Sequence, residues 1–268
     1  MVDLPLLASL LRALPTGCRL ILVGDPDQLP PVGPGCPLSD ILRSGVVPAV
    51  RLTEIFRQAQ ESLIVMNAHR VNSGVMPDLK TVTSDFFFLR RRTEEAVAST
   101  IGDLCRTRLP DRMGIPPEEI QVLSPTRKGP TGTASLNLLL QAQLNPPAPD
   151  KKEKKWGDFS FREGDRVMQI RNNYDILWKK TDGTQVGTGI FNGDIGVITE
   201  IDLNAELLTV VFDDRQAEYD FDMLRELELA YAMTVHKSQG SEYQAVVLAA
   251  WSCAPNLRTR RVLYTAIT

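Results

Sequence analysis

Leucines at 4, 6, 7, 10, 11 and 14 recur at helical spacing and share one apolar face, and Thr16-Gly17 stops the pattern. The run Cys18-Arg19-Leu20-Ile21-Leu22-Val23 is short and apolar, which predicts a fully buried strand. It ends at Gly24-Asp25-Pro26-Asp27-Gln28, a loop at the strand's C-terminal end. Open α/β sheets bind their ligands at that edge. Further helices are predicted at 37–43, at 62–73, and at 93–108 with Thr93 as N-cap and Glu94 and Glu95 in the first turn. A buried-type strand is predicted at 120–124, followed by a helix at 132–145, and Phe86-Phe87-Phe88-Leu89 reads as another strand. Strands alternating with helices argue for a mostly parallel α/β sheet.

The pattern changes after residue 145. Pro146-Pro147-Ala148-Pro149 and Lys151-Lys152-Glu153-Lys154-Lys155 read as a surface loop or linker. From 161 to 223 the period becomes strand-like, with runs at 165–170, 194–202, 206–212 and 216–221 and a turn signal at Asn192-Gly193-Asp194. Several short strands so close together predict a small β-barrel. Because α/β character resumes at Leu227, the barrel is expected to be an insert within the α/β domain. An apolar strand follows at 245–250. The chain closes on Leu263-Tyr264-Thr265-Ala266-Ile267-Thr268, which is helical in period and has no stop signal.

Composition narrows the classes. With 268 residues, 43% hydrophobic and 24% charged, the chain is globular rather than disordered. A net charge of −3 excludes a basic nucleic-acid coat, so any DNA-facing surface must be local. That charge is uneven: residues 151–180 hold nine basic and five acidic groups, and 181–222 hold one and ten. No stretch approaches the roughly 18–20 apolar residues of a membrane span, and Met1-Val2-Asp3-Leu4-Pro5 has no signal-peptide pattern. Cysteines at 18, 36, 105 and 253 form no C-x-x-C pair, so neither zinc nor disulfides are expected, and a cytoplasmic protein is.

Four segments carry candidate chemistry. Gly24-Asp25-Pro26-Asp27-Gln28 suits a phosphate or metal-water site, since a neutral amide can orient a water or touch a phosphate oxygen; it is also a common turn. In Leu52-Thr53-Glu54-Ile55-Phe56-Arg57-Gln58-Ala59, Arg57 is either an ordinary helix-surface residue or a guanidinium for a transferring phosphoryl group. Ser124-Pro125-Thr126-Arg127-Lys128-Gly129 places a hydroxyl and two cations after a strand, as a phosphate seat or a solvated basic turn. Thr234-Val235-His236-Lys237-Ser238-Gln239-Gly240-Ser241-Glu242 joins a hydroxyl, an imidazole, an ammonium and a Gly turn between apolar segments, which favours a phosphate-facing loop.

In this order the four segments resemble motif III, motif IV, the loop after it, and motif V of superfamily 1 helicases. The resemblance is closest to the RecD-like group, the exodeoxyribonuclease V alpha subunit and its stand-alone relatives, and it covers nearly the whole chain. Its specific stretches are Gly24–Gly35 and Tyr231–Glu242. The ending at 263–268 resembles the start of motif VI. Gly164-Asp165-Arg166-Val167-Met168-Gln169 and Asn192-Gly193-Asp194-Ile195-Gly196 resemble that group's SH3-like insert. The resemblance implies an α/β fold: a RecA-like parallel-sheet motor domain of P-loop NTPase type, with an inserted SH3-like small β-barrel. It implies the end of a first RecA-like domain at 1–50, a second at 51–150 and 224–268, and the insert at 155–223.

It also implies residue roles. Gln28 would sense the γ-phosphate and its attacking water, and Arg57 would contact that phosphate. Gly24 and Asp25 would belong to the same nucleotide loop. Glu242 would bond the ribose, with Gly240 giving backbone access. Thr126, Arg127, Thr234, His236 and Lys237 would line a single-stranded DNA path, with Asn173, Tyr174 and Asn192 of the insert as weaker DNA candidates. ATP and Mg²⁺ would be the cofactors of the intact enzyme.

Departures matter equally. No G-x-x-x-x-G-K-[ST] occurs, and no Asp-Glu pair follows an apolar strand. The expectation is therefore the C-terminal motor half of an ATP-dependent 5′-to-3′ DNA helicase that is inactive alone as an ATPase. Its partners would be single-stranded DNA, the missing N-terminal half and other subunits of a recombination nuclease. The alternatives are a non-catalytic DNA- or partner-binding module on a helicase-like scaffold, and a helicase-like relaxase or RNA-directed relative with extra domains.

Overall fold

The computed structural model describes residues 2–52, 61–81, 85–251 and 253–268. In chain order the helices are α1 (Leu4–Ala13), α2 (Pro37–Ser44), α3 (Leu63–Asn72), α4 (Glu94–Asp103), α5 (Leu109–Met113), α6 (Thr133–Leu144) and α7 (Arg260–Ile267). The strands are β1 (Ile120–Ser124), β2 (Glu153–Trp156), β3 (Phe159–Arg162), β4 (Arg166–Gln169), β5 (Asn173–Lys180), β6 (Val186–Ile190), β7 (Ile195–Asp202), β8 (Leu207–Phe212), β9 (Arg215–Asp220), β10 (Leu227–Leu229), β11 (Ala232–Thr234) and β12 (Ala245–Leu248). They fall into two compact units, Met1–Arg90 with Pro255–Thr268, and Arg91–Ala254. This division by contacts falls elsewhere than the expected boundaries, because α7 packs on α3 and residues 51–90 stay with the first unit. No described helix is long and apolar enough to cross a membrane.

Among its described residues the first unit holds helices and loops only. Side-chain caps start three of the helices: Asp3 accepts from Leu6 N, Ser62 from Val65 N, and Thr259 from Val262 N, each satisfying an orphan N–H. Two predicted strands are absent. Cys18–Val23 carries no strand, with Ile21 76% and Val23 93% exposed, and Phe86–Leu89 carries none either. An apolar run becomes a buried strand only where neighbouring strands accept its ladder bonds, and no described residue pairs with either run.

The second unit has a parallel sheet of order β11-β1-β12 and a seven-stranded antiparallel sheet of order β10-β4-β7-β8-β9-β5-β6, with β2 and β3 as a separate hairpin. The architecture is the expected one, α/β with an inserted β domain. The helix from Thr93 runs on past Asp103, but as a π-turn over Leu104–Arg108 before α5. Pro110 has no N–H to give the Arg106 carbonyl, and the wider turn accommodates it. The insert is not set apart by a linker. One apolar core runs from Ile101, Val122 and Leu136 into Phe161, Ile198, Leu208 and Tyr219.

A buried carboxylate pins the two sheets together. Asp165, fully buried, accepts from Gln141 Nε2 at 2.6 Å and Asn145 Nδ2 at 2.7 Å, both near the end of α6. It also accepts from the Arg162 amide at 2.7 Å and from the Tyr231 hydroxyl at 2.9 Å, just before β11. Burial pushes the Asp165 carboxyl up, and the four donors pull against it without prevailing.

Candidate functional site

Sheet topology gathers the second unit's candidates. β1 and β11 are parallel neighbours, with Ser124 opposite Thr234, so the loops that follow them leave the same edge. The loop after β1 folds back on α6: its first N–H groups, of Thr133 and Ala134, donate to the carbonyls of Thr126 and Arg127 at 3.0 and 3.2 Å. Gly132 permits this, because a Cβ there would lie 2.4 Å from the Lys128 carbonyl oxygen. The loop after β11 turns tightly, with the Lys237 and Ser238 amides both donating to the Thr234 carbonyl.

The result is a small cleft lined by Arg127, Thr133, Glu228, Thr234 and Lys237, among others. Arg127 and Lys237 meet on one carboxylate: Arg127 Nη donates to Glu228 Oε1 at 2.6 Å and Lys237 Nζ to Oε2 at 3.1 Å. Burial alone would raise the Glu228 carboxyl, but hydrogen bonds and charge from Arg127 and Lys237 hold it below the usual range. Asn137 of α6 fixes the strand crossing beneath, donating to the Leu229 and Ala232 carbonyls and accepting from Ala232 N. Thr126 and His236 are half-buried on the same two loops. The sequence singles out both cations, but neither Glu228 nor Asn137. Leu227-Glu228-Leu229 reads as an ordinary alternating strand with its acid in solvent.

Gly240, at φ +87°, makes the turn after Lys237, and Glu242 beyond it is exposed. Gly24, Asp25 and Gln28 belong to the first unit, where α7 and α3 pin their loop. Tyr264 donates to Asp25 at 2.9 Å, Asn72 to Asp27 at 3.0 Å, and the Leu29 amide to Thr265 at 2.9 Å. Gln28 donates to Thr268 at 3.4 Å. Burial, then the bond to Asp25, pushes the Tyr264 hydroxyl up to about 12. Arg57 lies outside the described residues, as do its neighbours 53–60.

In the barrel, Asn173 is committed internally, donating to Glu226 at 3.0 Å and accepting from Asp175 N. Tyr174 is 66% exposed and stacks edge-to-face on Phe191, their centroids 5.6 Å apart. Asn192 is exposed, and its amide donates to Asn172. Among the described residues no three or more His, Cys, Asp or Glu side chains cluster as a metal-ligand group.

Family profiles match three parts of the chain. Residues 136–212 match the ATP-dependent RecD-like DNA helicase SH3 domain, 229–268 the UvrD-like helicase C-terminal domain, and 1–85 an AAA domain. The chain is thus similar to the RecD-like helicases over nearly its whole length. It is 35% identical over 263 residues to the ATP-dependent RecD2 DNA helicase of Deinococcus radiodurans, covering 98% of this chain and 33% of that protein. It is 28% identical to the RecBCD enzyme subunit RecD of Mycolicibacterium smegmatis, covering 100% of this chain and 46% of that one. It thus spans a third to a half of the length of these two relatives. A solved Pif1 helicase from Candida albicans superposes with a TM-score of 0.48 and 17% identity, covering 91% of this chain and 59% of that one.

Proposed function

We propose that this chain is the C-terminal motor half of an ATP-dependent 5′-to-3′ DNA helicase, which translocates on single-stranded DNA and unwinds duplex. The observation that carries the reading is the meeting of Arg127, Thr234 and Lys237 around one cleft at the C-terminal edge of a parallel sheet. Two cations and a hydroxyl at such an edge suit a backbone phosphate, and phosphate contacts give grip without sequence preference. Thr126 and His236, on the same loops, extend that path, and exposed Tyr174 offers a ring for a base.

The nucleotide would be held by further groups. Gln28, on a loop bonded to α7, would read the γ-phosphate, Arg57 would add a second phosphate contact, and Glu242 would bond the ribose. ATP and Mg²⁺ act in the intact enzyme, with their phosphate cradle and metal carboxylates supplied by an N-terminal part. The exposed apolar run Cys18–Val23 is the kind of segment that such a part would cover as a neighbouring strand. Further partners are the other subunits of a recombination nuclease, in the cytoplasm.

Binding of a fluorescent oligo-dT across a salt series tests the DNA reading. Arg127→Ala and Lys237→Ala should each weaken binding and flatten the log–log salt slope by about 0.7, one counterion on a single strand. Unchanged affinity and slope in both variants would remove the reading.

A further inference from the structure

The two cations assigned above to a DNA phosphate are already occupied, and by the same group. Glu228 spans Arg127 and Lys237 with one oxygen each, at 2.6 and 3.1 Å. A carboxylate that divides its two oxygens between two cations has the charge and the reach of a phosphodiester's two non-bridging oxygens. The three side chains come from three segments: the loop after β1, strand β10, and the loop after β11.

We propose that Glu228 is an internal stand-in for a single-stranded DNA phosphate, holding Arg127 and Lys237 ready in the free protein and giving up at least one of them when the strand enters. This rests on the reading of Arg127 and Lys237 as DNA contacts. The asymmetry of the trio says which group yields. Glu228 sits on β10 opposite Met168, between buried Leu227 and Leu229, so its backbone cannot withdraw. Lys237 is 28% exposed and held in a tight turn, whereas Arg127 is 63% exposed at a loop. Arg127 is therefore the arm that swings from carboxylate to phosphate. The trio carries a net charge of +1 with Glu228 ionised and +2 without it. Phosphate entry must overcome both the lost ion pair and the repulsion of a nearby carboxylate.

The test is binding of fluorescent oligo-dT by Glu228→Gln, an isosteric neutral change, across a salt series. Glu228→Gln should bind roughly three- to tenfold tighter at low salt, with a slope steeper by about 0.7. In an Arg127→Ala background that gain should shrink, because half of what Glu228 restrains is gone. Unchanged or weaker binding by folded Glu228→Gln, with Arg127→Ala and Lys237→Ala still weakening binding, overturns the stand-in and leaves the DNA reading in place. Should neither cation variant alter binding, the DNA reading itself fails and takes the stand-in with it. A measurement on the unaltered chain needs no Glu228 variant to fold. The Glu228 side-chain carboxyl ¹³C resonance should shift on adding oligo-dT, and a resonance that stays put while DNA binds overturns the proposal.

Discussion

Asp165 shows how one residue can set the cost of the whole joint. It is surrounded only by donors: two side-chain amides, a backbone N–H and a hydroxyl. A carboxylate can accept from all four, whereas an amide in its place must turn an NH₂ toward some of them. Asp165→Asn should therefore cost about 1–3 kcal/mol, because the new amide turns buried N–H donors toward other donors and leaves them without an acceptor. Urea unfolding measures it, and a variant within about 0.5 kcal/mol of the parent would mean that the charge is dispensable. Side-chain types at strand ends are legible in the sequence, which is why Arg127 and Lys237 stand out there as candidates. Their partner does not, because a lone acid between two leucines has the same pattern whether it faces water or a pair of cations. Asp165 is hidden because it simply opens the strand-like run at 165–170, and nothing local reports that α6 and Tyr231 converge on it.

Among the elements, the helices were the most legible, since periodicity and caps are both local. Thr93 caps α4 as its spacing implies, and β1 spans the five residues that the apolar run marks. Strands β5 and β6 escaped notice. Val186-Gly187-Thr188-Gly189-Ile190 has two glycines that lower its strand propensity, yet Gly187 is needed there: a Cβ would lie 2.4 Å from the Trp178 ring. The runs at 18–23 and 86–89 fail in the other direction, apolar enough for strands but with no partner among the described residues. The loop between β1 and α6 is the element on which the proposed phosphate seat depends. Gly132→Ala should push the Arg127–Lys128 backbone away, because the new methyl would meet main chain rather than a movable side chain. A loss of about 1–3 kcal/mol in stability is expected, together with weaker oligo-dT binding. Thermal unfolding and anisotropy read both, and a variant equal to the parent in each would show that the loop is free to relax.

For the molecule as a whole, fold class and the helicase resemblance are legible because five ordered motifs survive in one chain, whereas the compact units follow packing that no motif reports. Contacts place α7 with α1, α2 and α3, although sequence order suggests that it continues the second motor domain. Phosphoryl transfer depends on positioned charge, and this sequence has no G-x-x-x-x-G-K-[ST] to provide it. The isolated chain is therefore expected to release no phosphate from ATP above background, with or without oligo-dT. Robust DNA-stimulated turnover would instead require a phosphate cradle of another kind within these residues.

Only Ala230 and Tyr231 separate β10, the edge of the antiparallel sheet, from β11 in the parallel one. The insert therefore ends without slack, and the last residues of its sheet are the first support of the motor's. A foreign barrel spliced at 155 and 223 would have to pair its own β4 with the Leu227–Leu229 already present in the recipient chain. An exchange that carried the barrel together with the chain through Lys237 would keep β4, Glu228 and the two cations matched.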